Sequence, residues 1–75
     1  LGDPIKLKVD GYSTLLVGTP YAVQQTKSGR VYREYDVVLP NGNTGRVIVY
    51  DDTGEAVGGG NEIPKNSVTI KGKTV

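Results

Sequence analysis

Basic and aromatic side chains alternate through the middle of this chain, and this combination suits binding better than catalysis. Arginine and lysine can neutralise phosphate groups, while tyrosine rings can stack on nucleotide bases for roughly 1–3 kcal/mol per base. Cations and flat rings on one sheet therefore predict a surface for single-stranded nucleic acid. The residues predicted to form it are Lys27, Arg30, Tyr32, Arg33, Tyr35 and Arg46.

Strand geometry complicates this surface, because successive side chains of a strand point to opposite faces of the sheet. Tyr32 and Tyr35 are then expected on opposite faces unless a bulge intervenes. Tyr32 would share its face with Glu34 and Asp36, whose carboxylates repel phosphate. The structural alternative makes Tyr35 and Tyr50 core rings and pairs the arginines with acids across strands. The acids predicted for such pairing are Glu34, Asp36 and Asp51.

Catalytic and metal-binding chemistry find little support in the sequence. The chain has no histidine and no cysteine, so it cannot form a Ser–His or Cys–His nucleophile pair or the usual zinc clusters. Asp51, Asp52 and Glu55 do not have EF-hand spacing and indicate a solvated turn. The glycines of segment 58–60 lack the Lys-Ser/Thr of a phosphate-binding P-loop and indicate a flexible loop. We expect no enzymatic activity, no metal and no cofactor.

Composition indicates one small domain spanning residues 1–75. Such a short chain has a thin core and no disulfide, so it must fold compactly alone or gain support from a partner, and we expect a homo-oligomer. The net charge of +1 by itself predicts neither nucleic acid nor membrane as a partner. No apolar run reaches transmembrane length, so we expect no membrane partner. Leu1 in place of an initiator methionine is typical of a matured chain, an excised domain or a partial sequence.

Five segments have the pattern of β-strands, and glycine, proline and asparagine separate them. An Asn41-Gly42 turn is predicted to join the third and fourth. A further segment, 21–26, fits a strand or a short helix that Pro20 would begin, and we favour the strand. The remaining long stretch, 51–65, is predicted to be a loop. The five strands are 5–9, 14–17, 31–39, 45–51 and 67–75.

Short strands with regular turns predict an all-β fold, a small five-stranded barrel of the OB-fold or SH3-like kind. Closure of the barrel would remove exposed strand edges, which favour aggregation. The Ile63-Pro64 pair before the last strand resembles the short 3₁₀ turn found at that position in SH3-type barrels.

Segment 26–32, Thr-Lys-Ser-Gly-Arg-Val-Tyr, with its following strand, Asn-Gly turn, strand and Ile-Pro turn, resembles the small single-stranded-DNA-binding proteins of filamentous phages. That resemblance implies an OB-like barrel with a basic DNA-binding hairpin. It further implies that Lys27, Arg30 and Arg33 contact phosphates and that Tyr32 stacks on a base. The C-terminal hairpin that dimerises that family is not recognisable here.

Three functions follow from these patterns. The first is binding of single-stranded nucleic acid through the basic and tyrosine-bearing hairpin. The second is a structural or assembly role, as a virion decoration or coat component or as a barrel domain of a larger assembly. The third is an SH3-like peptide-binding module, which the absence of tryptophan disfavours. The first two place the protein in a host cytoplasm or in a virion.

Overall fold

The computed structural model describes residues 2–73 and is all-β, with antiparallel strands that form a nearly closed barrel. The first five strands pair in sequence order, and the last strand returns to pair with the first, in the order β5-β4-β3-β2-β1-β6. β5 and β6 pack together where the barrel closes. The six strands are β1 Ile5–Val9, β2 Leu16–Gln25, β3 Val31–Val38, β4 Thr44–Tyr50, β5 Ala56–Gly58 and β6 Val68–Lys73.

The barrel is confirmed, but the described residues contain six strands where five were expected. The additional strand, β5, lies inside the predicted loop 51–65 and pairs with β4. Nor is the glycine segment 58–60 an open loop. Gly58 N–H donates to Lys65 O, Gly59 N–H to Arg46 O and Gly60 N–H to a carbonyl of the same loop. The last strand was expected to reach Val75, which lies outside the described residues.

β2 runs without a break from Leu16 to Gln25 and so joins the predicted strand 14–17 to segment 21–26. The strand was therefore the right choice over the helix for segment 21–26. The register against β3 shifts between Pro20 and Ala22, so Tyr21 is the extra residue of a β-bulge. Proline has no N–H to donate to a ladder and is tolerated beside such irregularities.

Two hairpins use the same three-residue loop. In the loop between β3 and β4, Leu39 N–H donates to Asn43 O and Gly42 N–H donates to Leu39 O. Gly42 has φ 89°, whereas Asn41 does not share its positive φ. This is a type I turn followed by a left-handed glycine, not a two-residue Asn-Gly turn. The loop between β2 and β3 repeats the pattern, with Gly29 at φ 93°.

The core lies on the inner face of the curved sheet and contains aliphatic side chains and one tyrosine ring. Ile63 enters it from the loop before β6, whose turn is closed by Ser67 N–H donating to Pro64 O. Only this one turn is present there, so the predicted 3₁₀ turn is not confirmed. The buried apolar residues are Ile5, Leu7, Val9, Leu16, Tyr35, Val37, Leu39, Val47 and Ile63.

Candidate binding face

The register between β3 and β4 sets which side chains share the outer face of the barrel. Tyr32 pairs with Tyr50, so both rings point away from the core. The rings contact edge to face, with centroids 5.9 Å apart and planes at 64°. This T-shaped contact is a favoured arrangement for two aromatic rings. We call the outer surface formed by these and neighbouring residues the tyrosine face: Tyr21, Arg30, Tyr32, Arg46, Ile48 and Tyr50.

The bulge brings a third ring to this face. Tyr21 Oη donates to Glu34 Oε2 at 2.5 Å and accepts from Arg46 Nη1 at 2.6 Å. The Arg46 guanidinium lies 4.6 Å from the centroid of the Tyr21 ring, a cation–π contact. Burial, followed by the bond to Glu34, raises the pKa of Tyr21. The Tyr21 ring is therefore fixed in place across β3.

Arg30 is held on two sides at the other end of the face. Its guanidinium lies 3.8 Å from the centroid of the Tyr50 ring. Its Nε and Nη2 donate to Asp52 Oδ2 and Oδ1 at 3.1 and 3.0 Å, which is a bidentate pair. This bond lowers the pKa of the Asp52 carboxyl and raises that of Arg30.

Each of the three arginines contacts an aspartate, as the structural alternative predicted. Arg33 Nε donates to Asp51 Oδ1 at 3.2 Å. Arg46 Nε lies 2.8 Å from Asp36 Oδ1, yet this buried oxygen accepts no aligned hydrogen bond from the described residues. The Arg46 contact is therefore an ion pair by distance alone. Asp52, the partner of Arg30, was not among the predicted acids.

The structure separates the six predicted site residues. Arg30, Tyr32 and Arg46 lie on the tyrosine face. Tyr35 is only 6% exposed and belongs to the core, where burial raises its pKa, so it offers no ring to a base. Of the remaining two, Lys27 lies in the exposed β2–β3 loop. Arg33 lies in β3, on the side opposite to Tyr32.

Two rings of the face, Tyr21 and Tyr50, were missed as site residues. Tyr50 lies on the outer face and not in the core, where the structural alternative had placed it. The length of the β3–β4 loop was the signal for Tyr50, because a three-residue loop places it opposite Tyr32. No sequence signal marked the bulge that turns Tyr21 outward.

A shallow, open pocket of about 460 Å³ adjoins the face, between the β2–β3 and β4–β5 loops. Asp51 N–H donates to Val31 O at 3.0 Å, which joins two of its lining residues. The pocket combines the guanidinium of Arg30 with the carboxylates of Asp51 and Asp52. Its lining residues are Ser28, Gly29, Arg30, Val31, Asp51 and Asp52.

Among residues 2–73 we find neither a cluster of acidic side chains able to hold a metal ion nor a helix long and apolar enough to cross a bilayer. Searches of protein-family models, curated proteins and solved structures found no match to this chain. The resemblance to the phage DNA-binding proteins therefore stays a prediction.

Proposed function

We propose that this protein is a non-catalytic binding module that holds single-stranded nucleic acid on its tyrosine face. The supporting observation is the placement of Tyr21, Tyr32 and Tyr50 on one outer surface of the barrel. The pair first considered, Tyr32 and Tyr35, could not form such a surface. A ring contributes roughly 1–3 kcal/mol when a base stacks on it, so even two rings give useful affinity.

The two ends of the face have different roles in this proposal. Tyr32 supplies a half-buried ring that contacts Tyr50. Arg30, stacked on Tyr50 and held by Asp52, presents the other side of its planar guanidinium, and bases stack on such planes as well as on rings. Tyr21 is fixed by Glu34 and Arg46, which lowers the entropy lost when a base stacks on it.

The charges on this surface predict stacking-driven binding with a weak dependence on salt. The two arginines of the face, Arg30 and Arg46, are paired with Asp52 and Asp36. Lys27, in the adjoining β2–β3 loop, is a nearby cation for which the described residues provide no acidic partner. One phosphate contact on a single strand gives a salt slope of about −0.7. We therefore expect a slope near this value instead of the steep one typical of a basic groove.

The strand order supports the SH3-like form of the barrel over the OB form, within this proposal. The described strands form a meander closed by the pairing of β6 with β1. An OB-fold is instead a Greek-key barrel, with a non-consecutive strand order. The proposed likeness to the phage proteins rests on the hairpin of β2 and β3, whose loop carries Lys27 and places Arg30 beside the tyrosines.

Titration with a single-stranded homopolymer oligonucleotide at two salt concentrations tests this function, with tyrosine fluorescence as the signal. We expect quenching with a shallow salt slope. Tyr32→Leu should lower the affinity about 5- to 100-fold, because roughly 1–3 kcal/mol of stacking is lost. Tyr32→Phe keeps the ring and is the matched control. Absence of saturable binding by the wild-type chain, or equal affinities for the Leu and Phe variants, would contradict the proposal.

A second candidate is an assembly role, in which the tyrosine face binds protein. The observation in its favour is the neutralisation of each arginine, because the cores of protein interfaces are rich in Tyr and Arg and poor in unpaired charge. This role predicts no oligonucleotide binding, together with incorporation into a larger complex that Tyr32→Leu abolishes.

A further inference from the structure

A second surface, at the end of β3 far from Tyr32, combines exposed aliphatic side chains that no described residue covers. Val38 is 66% exposed, Leu15 49% and Val17 47%. Gly18 pairs with Val37, so the antiparallel direction places Val17 beside Val38 across β2 and β3. Leu15 is the residue directly before β2, two positions ahead of Val17. We call these three residues the aliphatic strip.

The charges on the two sides of the strip have opposite signs. On one side, β1 and β6 carry lysines and no acid, and Lys6 pairs directly with Val17. Lys6 and Lys71 are exposed, while the Lys8 ammonium donates to Tyr12 O at the strand end. On the other side, the outer faces of β3 and β4 carry the carboxylates of Glu34 and Asp36 against a single arginine.

We propose that the aliphatic strip is the centre of a two-fold symmetric interface with a second copy of this chain. A two-fold axis beside Val38 stacks the strip of one copy on that of the other. It also brings the lysines of β1 and β6 opposite the carboxylates of the partner's β3. An interface of this kind is self-complementary, because one patch serves both copies. An anionic surface would be a poorer partner for the aliphatic strip than a second copy of the chain, because it would repel Glu34 and Asp36.

The size of the molecule is compatible with this arrangement. A standard interface buries about 800 Å² per partner, roughly a sixth of the 4696 Å² accessible surface of this chain. A thin core without disulfides gains most from such added burial. The Tyr32–Tyr50 end of the tyrosine face stays open, because Tyr32 lies six residues from Val38 along β3, roughly 20 Å at strand spacing. Arg46, which pairs with Asp36, lies at the end that adjoins the interface.

Complementary charge variants at the axis test the geometry. Val38→Asp and Val38→Lys each place like charges together across the two-fold axis, so each variant alone should be monomeric by analytical ultracentrifugation. An equimolar mixture should recover the dimer, because Asp of one copy then faces Lys of the other. Val23→Asp, at a 44% exposed valine outside the strip, should leave the wild-type dimer intact.

Three results would overturn the proposal. A wild-type chain that stays monomeric up to its solubility limit overturns it. So does a Val38→Asp variant that dimerises as wild type does, or a mixture of the two charged variants that stays monomeric while circular dichroism shows both folded. These outcomes do not depend on nucleic acid, so they are separate from the test of the tyrosine face.

Discussion

Ile63 fills the space that a side chain at Gly45 would occupy: a Cβ on this glycine would lie 2.7 Å from both Cγ1 and Cδ1 of Ile63. Ile63 is 1% exposed and cannot move aside into solvent. The contact joins the loop before β6 to the inner face of β4. Because Gly45 has no side chain, Ile63 can complete the core.

Gly45→Ala should destabilise the fold by overpacking, by about 1–3 kcal/mol in the free energy of unfolding. Shortening Ile63 to Val alone should cost about 0.5–1.5 kcal/mol. The double variant should be more stable than the sum of the two losses predicts, because valine lacks the Cδ1 carbon and so removes one of the two close contacts with the added methyl, while the contact with the γ carbon stays. Urea denaturation of the four proteins of this cycle measures the coupling. Simple additivity would show that the close contact does not limit stability.

Gly58→Ala should be more damaging than Gly45→Ala, and Ile63→Val should not rescue it. A Cβ at Gly58 would lie 2.3 Å from Pro64 O and 2.5 Å from Ile63 O, which are backbone atoms and not the end of a side chain. The chain of the loop would have to shift, and the bond from Gly58 N–H to Lys65 O would be strained. Thermal unfolding by circular dichroism makes the comparison. If Ile63→Val restored the stability of the Gly58→Ala variant, the clash would involve the Ile63 side chain and not the backbone.

Gly42 presents the opposite case, a glycine required for its φ angle and not for space. No atom lies within 4 Å of a Cβ built there, and its φ is 89°. Gly42→Ala should cost about 1–2 kcal/mol, the penalty of the left-handed conformation for an L-residue. Gly42→Asn should cost less, since asparagine tolerates that region better. Equal losses for Ala and Asn in urea denaturation would indicate a cause other than the backbone.

Burial of the Tyr35 side chain should make stability fall in alkaline solution. Its pKa is raised by burial, so the folded state holds the phenolic proton more tightly than the unfolded state. This contribution is fully present below the ordinary tyrosine pKa and is lost as pH rises through the raised pKa of the folded state. Tyr35→Phe should flatten the alkaline arm of a plot of unfolding free energy against pH. An unchanged arm would mean that other groups cause it.

Release of Arg30 from Asp52 should strengthen nucleic-acid binding. Asp52→Asn removes the bidentate acceptor, so Arg30 becomes available to phosphate. The affinity for the oligonucleotide should then rise, and its dependence on salt should become steeper. Asp10→Asn makes the same charge change away from the tyrosine face and serves as the control. If both variants change the slope equally, net charge and not Arg30 is responsible.

The sequence by itself determined the features that depend on neighbouring residues. Alternation along β3 placed Tyr35 inside and Tyr32 outside, because strand side chains change face at every residue. Gly29 and Gly42 marked the turns, because glycine takes positive φ without a steric penalty. The lack of histidine and cysteine excluded whole classes of chemistry without any structure.

Only the tertiary structure decided the contacts between distant segments. A one-residue difference in the β3–β4 loop sets whether Tyr32 meets Tyr50, and the bulge that exposes Tyr21 depends on how β2 and β3 fit together. The Arg30–Asp52 pair joins two loops that are 22 residues apart. The bulge and the pairing of the two loops depend on how the strands fit together and how the barrel closes, which are cooperative properties of the whole sheet. The Tyr32–Tyr50 contact alone has a local signal, the length of the β3–β4 loop.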